Sequence, residues 1–326
     1  MSGGNVKIGY FLSAEEATPL ELVQRARLAE QAGFTALWIS DHFHPWNDEQ
    51  GHSPFVWSVI GALSQACTLP VTTAVTCPTM RTHPVVVAQA AATSAVLTEG
   101  RFTLGVGSGE ALNEQVIGAG WPLADQRLEM LEEAVEVMRR LWSGEVVTHR
   151  GRHYTVEHAR LYTLPDAPPE VYVSAFGPKA LEVAARIGDG FISTAPDADS
   201  VRRFDELTGG GRPKQAGFKV CYDTDEQRAL ETAHRLWPNS GLGGELAQVL
   251  RTPEHFMQAS SSVTPEQVGE AIVCSADPQR HLDAIQEYVD AGFDEVYVSQ
   301  VGPDQEPFFS FYATEVLPRL GSSNND

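Results

Sequence analysis

Short apolar runs recur along the chain at nearly even spacing, and each is followed by a segment of helical period. Val6 to Phe11 alternates as a strand does. Thr18-Pro19-Leu20-Glu21 then opens a helix, with Thr as N-cap and Pro in the first turn. Leu22, Ala26, Ala29 and Ala32 mark its inward face, and Gly33 stops it. The pattern predicts further strands at 36–39, 71–76, 101–107, 170–175, 190–194, 217–222 and 294–299. Helices are predicted at 55–65, 84–97, from Pro178, at 278–291 and at 305–320. One long amphipathic helix carries Leu128, Leu131, Val135, Met138 and Leu141 on a single stripe. Val146 to Val156 reads as a hairpin turning at Arg150-Gly151.

Eight near-continuous apolar strands alternating with helices predict parallel strands covered on both faces. The whole chain, 1–326, is therefore expected to be one domain of the α/β class, a (β/α)8 TIM barrel. Residues 223–264 carry no clean strand period and predict an insertion of helices and loop near the C-terminal face of the barrel. A doubly wound sheet would need a dinucleotide fingerprint after the first strand. Gly105-Val106-Gly107-Ser108-Gly109-Glu110 follows strand four instead, with Glu110 in place of the last glycine.

The 326 residues carry a formal charge of -20 and only four lysines: Lys7, Lys179, Lys214 and Lys219. Such a surface repels phosphate backbones and anionic lipid, so no nucleic acid and no membrane partner is expected. Cys67, Cys77, Cys221 and Cys274 show no CxxC spacing, which suits isolated thiols in a reducing cytoplasm. Met1 to Val6 lacks the charged and apolar regions of a signal peptide. No His or Cys spacing reads as a metal site, so none is expected.

On a barrel, strand C-terminal ends share one mouth, and chemistry gathers there. The stretch Ser40-Asp41-His42-Phe43-His44-Pro45-Trp46 delivers a carboxylate, an imidazole and an indole together after strand two. Glu15 follows strand one, Cys77 strand three, Glu110 and Asn113 strand four, and Thr194 strand six. A His and a Glu on neighbouring strand ends can serve as acid and base. Read alone, Glu110 also fits a helix N-terminal carboxylate, and Glu15 a solvated loop charge or part of a cap. The glycines at 105, 107 and 109 fit either close approach of a flat ring or tight packing. Ser174-Ala175-Phe176-Gly177-Pro178 ends strand five at a helix start, where free backbone N–H groups suit an anion.

The stretch 40–46, Cys77-Pro78-Thr79-Met80-Arg81-Thr82-His83-Pro84 and Gly105 to Glu114 together resemble the luciferase-like barrel oxidoreductases. More narrowly they resemble the branch dependent on coenzyme F420, a deazaflavin, typified by the glucose-6-phosphate dehydrogenases. The resemblance implies a homodimeric barrel that moves a hydride between a small-molecule alcohol and the deazaflavin. By it, Asp41 meets the ring's polar edge, and Ala74-Val75 is a non-prolyl cis peptide behind the ring. Cys77 stands where the family usually has Thr. Ser108, Gly109, Asn113, Phe176 and Gly177 match positions that hold the ring and its phosphate-bearing tail. His42 and Glu110 match the acid/base pair, and Trp46 and Glu15 the substrate wall.

The departure lies in the phosphate site. The sugar-phosphate enzymes use a Thr after strand six, a Lys three residues on, a Lys in the insertion and an Arg before the last helix–strand unit. Here Thr194 is kept, but the next positions read Asp197 and Ala271, and the insertion has no lysine. A dianionic phosphate would be left largely unpaired. An uncharged alcohol, polyol or metabolite is expected, with glucose 6-phosphate disfavoured. The alternatives are a monooxygenase of the same fold using flavin mononucleotide (FMN), and a catalytically silent binding barrel.

Overall fold

A computed structural model describes residues 6–322. The expected absence of a signal peptide rests largely on residues 1–5, which lie outside the described residues. Eight parallel strands form the barrel: β1 (Lys7–Leu12), β2 (Leu37–Ile39), β3 (Val71–Thr73), β4 (Phe102–Val106), β5 (Val171–Ser174), β6 (Gly190–Ser193), β7 (Lys214–Cys221) and β8 (Glu295–Gln300). Each pairs with its neighbour in sequence. Phe191↔Lys214 joins β6 to β7, and Ile8↔Val296 joins β1 to β8, which closes the ring.

Eight helices cover it: α1 (Pro19–Ala32), α2 (Val56–Leu63), α3 (Pro84–Leu97), α4 (Ala124–Trp142), α5 (Pro178–Ile187), α6 (Ala198–Thr208), α7 (Pro278–Ala291) and α8. This last runs Gln305–Phe311, passes through a π segment at Tyr312–Val316, and ends as Leu317–Ser322. The local signals explain α1. Thr18 and Glu21 form a reciprocal capping box, Pro19 starts the helix, and Gly33 ends it at φ 99°. Its Leu22, Ala26 and Ala29 are fully buried against the barrel. Burying one such Leu stabilises the fold by about 1.5–3 kcal/mol.

The lumen is filled by aromatic side chains. Trp38 stacks on Tyr297 at 4.4 Å and 10°, with Ala36, Tyr172 and Ile192 around them. Room for this comes from glycine: a Cβ on Gly217 would lie 2.5 Å from the Trp38 ring. Phe11, Ala74 and Val75 pack on this cluster. The lumen is thus a packed core, and only its rim is available for a site.

Several boundaries differ from the pattern. The strand predicted at 71–76 ends at Thr73, just before the cis peptide Ala74–Val75. Thr76 keeps a single bridge to Val106. In α4, Leu128 is only half-buried, and the buried position of that turn belongs to Arg127. The hairpin forms from Val147–Arg150 and Thr155–Ala159.

After β7 the insertion folds as Glu226–Leu236, Leu246–Val249 and Pro253–Ala259. It continues past 264 as Pro265–Ala271 and a short strand, Val273–Cys274, which pairs with β7. Two residues are too few for a period to show in sequence. No helix among the described residues is long and apolar enough to cross a membrane.

Candidate active site

The stretch after β2 is held from both sides. Asn113 Oδ1 accepts from the backbone N–H groups of Phe43 (2.7 Å) and His44 (2.9 Å). Ser53 Oγ donates to the His42 carbonyl at 2.8 Å. Farther along, Asn47 Nδ2 and Gln50 Nε2 both donate to the Leu236 carbonyl at 2.9 Å, which ties the loop to the insertion.

His42 lies between two carboxylates. Its Nδ1 is 3.0 Å from Glu15 Oε1, and its Nε2 is 3.4 Å from Glu110 Oε1. The ring N–H does not point along the shorter contact, so Glu15 acts on His42 as a charge more than as an aligned hydrogen-bond acceptor. Burial alone would lower the imidazole pKa. Glu15 first, then Glu110 and Asp41, overcome it and raise the value to about 9. Burial likewise opposes ionisation of Glu15, but His42 and the Ser13 hydroxyl hold it down to about 2. His42 is therefore an imidazolium near neutral pH.

Glu15 is no solvated charge, contrary to the residue-level expectation. It is 2% exposed, and its Oε2 accepts from Ser13 Oγ (2.8 Å) and Ser40 Oγ (2.9 Å). The 3-10 turn Ala14–Glu16 brings it inward, and the Ala14 N–H bonds Ser40 Oγ at 2.9 Å. Nor does Glu110 cap its own helix. Its side chain makes no cap bond and instead accepts from Asn113 Nδ2 at 2.7 Å while facing His42. Trp46 meets His42 edge-on at 5.1 Å and Phe256 of the insertion at 5.0 Å, so the insertion does border the mouth.

Asp41 is buried with both oxygens engaged. Thr76 Oγ1 donates to Oδ2 (2.8 Å), and Arg81 Nη2 pairs with Oδ1 (2.8 Å). Arg81 also faces Glu114, whose Oε2 accepts from the Arg81 backbone N–H at 2.8 Å. Burial raises the Glu114 pKa to about 7, with Arg81 opposing. Arg81 and Glu114 lie within the motifs, but nothing in their spacing shows one guanidinium serving two carboxylates.

The glycine ambiguity resolves toward packing on this rim. Gly109 sits at φ +78°, and a Cβ there would lie 2.6 Å from Cys77 Sγ. Cys77 is buried, its Sγ 3.1 Å from Thr79 Oγ1, and burial keeps its thiol well above the usual range. Ser108 beside it is half-exposed.

Phe176, Gly177 and Thr194 lie at the outer edge. Phe176 is 62% exposed, and a Cβ on Gly177 would meet nothing within 4 Å. The start of α5 has no side-chain cap, so its first N–H groups are open to an anion. Thr194 is exposed, and its carbonyl accepts from Tyr288 Oη at 3.2 Å. Two buried donors near this edge lack acceptors: Trp121 Nε1 and Arg127 Nε. Arg127 stacks over Trp121 at 4.4 Å and faces Glu110 and Cys77. An open helix start and donors without acceptors suit a ligand with an anionic tail. Among the described residues no group of three or more His, Cys, Asp or Glu could hold a metal.

The chain as a whole is similar to known proteins. The chain is 37% identical to an F420-dependent glucose-6-phosphate dehydrogenase of Beutenbergia cavernae, over 97% of each chain. It is 36% identical to one from Microbacterium testaceum, again over 97% of each. The solved structure of an F420-dependent secondary alcohol dehydrogenase with an F420-acetone adduct superposes with a TM-score of 0.90. That protein is 30% identical, over 97% of this chain and 99% of its own. A sequence profile described as luciferase-like monooxygenase matches residues 6–295, so this chain belongs to the luciferase-like monooxygenase family.

Proposed function

We propose that this protein is a coenzyme F420-dependent dehydrogenase that oxidises a small-molecule alcohol, with His42, Glu110, Glu15 and Trp46 at the reacting centre. The observation that carries it is His42 held between Glu15 and Glu110 at the barrel mouth. Relatives and a superposing structure named for coenzyme F420 support the cofactor. Ala74-Val75, Ser108, Gly109, Phe176 and Gly177 would hold it, with the uncapped α5 start toward its phosphate. Asp41, Asn113 and Cys77 are engaged within the protein, so their part is to fix the surface that the ring lies on.

When bound, the deazaflavin supplies the hydride acceptor. The chain's own task is to move two protons. His42, charged near pH 7, holds at Nε2, facing Glu110, the proton that would go to the reduced ring. Glu110, the most exposed of the three at 25%, takes the proton of the substrate hydroxyl. Glu15 keeps the imidazolium in place, and Trp46 bounds the substrate.

The phosphate-site departure supports an uncharged alcohol over glucose 6-phosphate. Asp197 is exposed and caps α6, accepting from the Asp199 and Ser200 N–H groups. Ala271 ends its helix with no cation in its place. Homodimerisation in the cytoplasm completes the reading.

Fluorescence titration with coenzyme F420 and with FMN tests the proposal, followed by loss of F420 absorbance on adding alcohols. Binding of the deazaflavin with alcohol-dependent reduction is expected. Preference for FMN would move the chain to the monooxygenase reading.

A further inference from the structure

Three of the four lysines are paired with carboxylates. Lys7 meets Glu295 at 2.8 Å, Lys179 meets Asp125 at 2.8 Å, and Lys214 meets Asp205 at 3.1 Å. Lys219 differs. Among the described residues its ammonium makes no hydrogen bond or ion pair, and it lies 4.0 Å from the centre of the Trp237 ring.

Its place in the barrel explains the difference. Side chains alternate along β7, so Gln215, Gly217 and Lys219 share one face. Gln215 accepts from Trp38 Nε1 at 2.8 Å, and Gly217 abuts the Trp38 ring, so that face is the lumen. Lys219 is the next step toward the C-terminal rim. Half-buried there, it has a pKa lowered by burial, while Glu15 and Glu16 act in the opposite direction.

Trp237 is fixed under it. Its Nε1 donates to Glu16 Oε1 at 2.6 Å, and Glu16 Oε2 accepts from the Gly302 N–H at 2.8 Å. Trp237 shares a packed cluster with Trp46, which meets His42. One wall of the mouth therefore runs from the reacting imidazole across Trp46 and Trp237 to an ammonium with no acceptor.

Resting on the dehydrogenase reading, we infer that Lys219 determines substrate specificity by donating a hydrogen bond to a second oxygen of the substrate. The preferred substrates carry a hydroxyl or carboxylate within two carbons of the reacting carbinol. This half-buried ammonium has the Trp237 face but no hydrogen-bond acceptor in exchange for lost hydration, and a substrate oxygen supplies one. A plain secondary alcohol leaves it unsatisfied and is disfavoured.

The test compares wild type, Lys219→Met and Lys219→Arg on propan-2-ol, propane-1,2-diol and 3-hydroxybutyrate, following F420 reduction. Lys219→Met is expected to lower kcat/KM about 10- to 100-fold for the diol, the hydroxy acid or both, chiefly through KM. Propan-2-ol use should be unchanged, and Arg should recover part of the loss. A loss confined to the diol identifies a neutral hydroxyl, and one confined to the hydroxy acid a carboxylate. Equal effects on all three alcohols, or none, overturn the inference.

If no alcohol reduces F420, the dehydrogenase reading fails, and the inference is judged by quenching of tryptophan fluorescence on titrating the diol and the hydroxy acid. Saturable quenching lost in Lys219→Met supports it. Quenching that is absent, or the same in both proteins, overturns it.

Discussion

Glu15 and His42 come from the ends of different strands, yet their side chains meet at 3.0 Å with 2% and 11% exposure. The pair makes stability depend on pH in a definite sense. His42 has a native pKa of about 9, above its ordinary 6.5, so its contribution is complete below pH 6.5 and fades as pH rises through 9. Glu15, at about 2 against an ordinary 4.5, contributes fully above pH 4.5 and loses that share as pH falls toward 2. Thermal melts across pH 6.5 to 9 should show the wild-type Tm falling, while Glu15→Gln flattens that fall. Parallel profiles for the two proteins would mean that the pair is not ionised as described.

His42→Ala should lower kcat by about 10²- to 10⁴-fold, the usual worth of a positioned acid or base, while cofactor titration is unchanged. Persistent turnover would remove His42 from the chemistry. Trp46→Ala should raise KM and leave the barrel folded, since Trp46 lines the rim between His42 and Phe256. A collapsed melting temperature would make it a core residue instead.

Arg81 is the cation between buried Asp41 and Glu114. Arg81→Met leaves both carboxylates without it and should cost about 3–5 kcal/mol in urea unfolding. Arg81→Lys should recover part, because an ammonium supplies charge without the planar fork. A loss under 1 kcal/mol (roughly that of a surface pair) would show that Thr76 suffices to hold Asp41.

Gly109→Ala combines a left-handed backbone with a clash on Cys77 Sγ. It should destabilise by at least about 1–2 kcal/mol from backbone strain alone. Adding Cys77→Ala should relieve the contact with Sγ and leave the strain together with a 2.9 Å approach to Glu114 Cγ. Full recovery in the double variant would show that strain at φ +78° contributes nothing.

Asp197→Lys with Ala271→Arg should raise kcat/KM on sugar phosphates if those positions border the substrate. The same change removes the α6 cap and should cost about 0.5–2 kcal/mol. Lost stability without any gain on sugar phosphates would place the phosphate site elsewhere.

Much of the barrel is legible in the sequence because its signals are local. Thr18, Glu21, Pro19 and Gly33 delimit α1 through contacts a few residues apart. Apolar runs of four to eight residues mark buried parallel strands wherever they fall. The chemistry of the stretch from Asp41 to Trp46 is visible for the same reason: residue types that rarely coincide follow one strand.

Local patterns along the chain are enough to set the alternation of strands and helices, the parallel barrel, and which strand ends carry ionisable groups. How those groups pair depends on contacts between distant segments. Arg81 reaches Asp41 across 40 residues, and Trp237 reaches Glu16 across 221. Glu15 is ionised at about 2 rather than solvated because barrel closure and a 3-10 turn bury it against His42. Lys219 reads as one more strand residue until the lumen places it over Trp237. Burial and partner identity set these charges, and both arise when distant segments share one enclosed rim, where water no longer screens them.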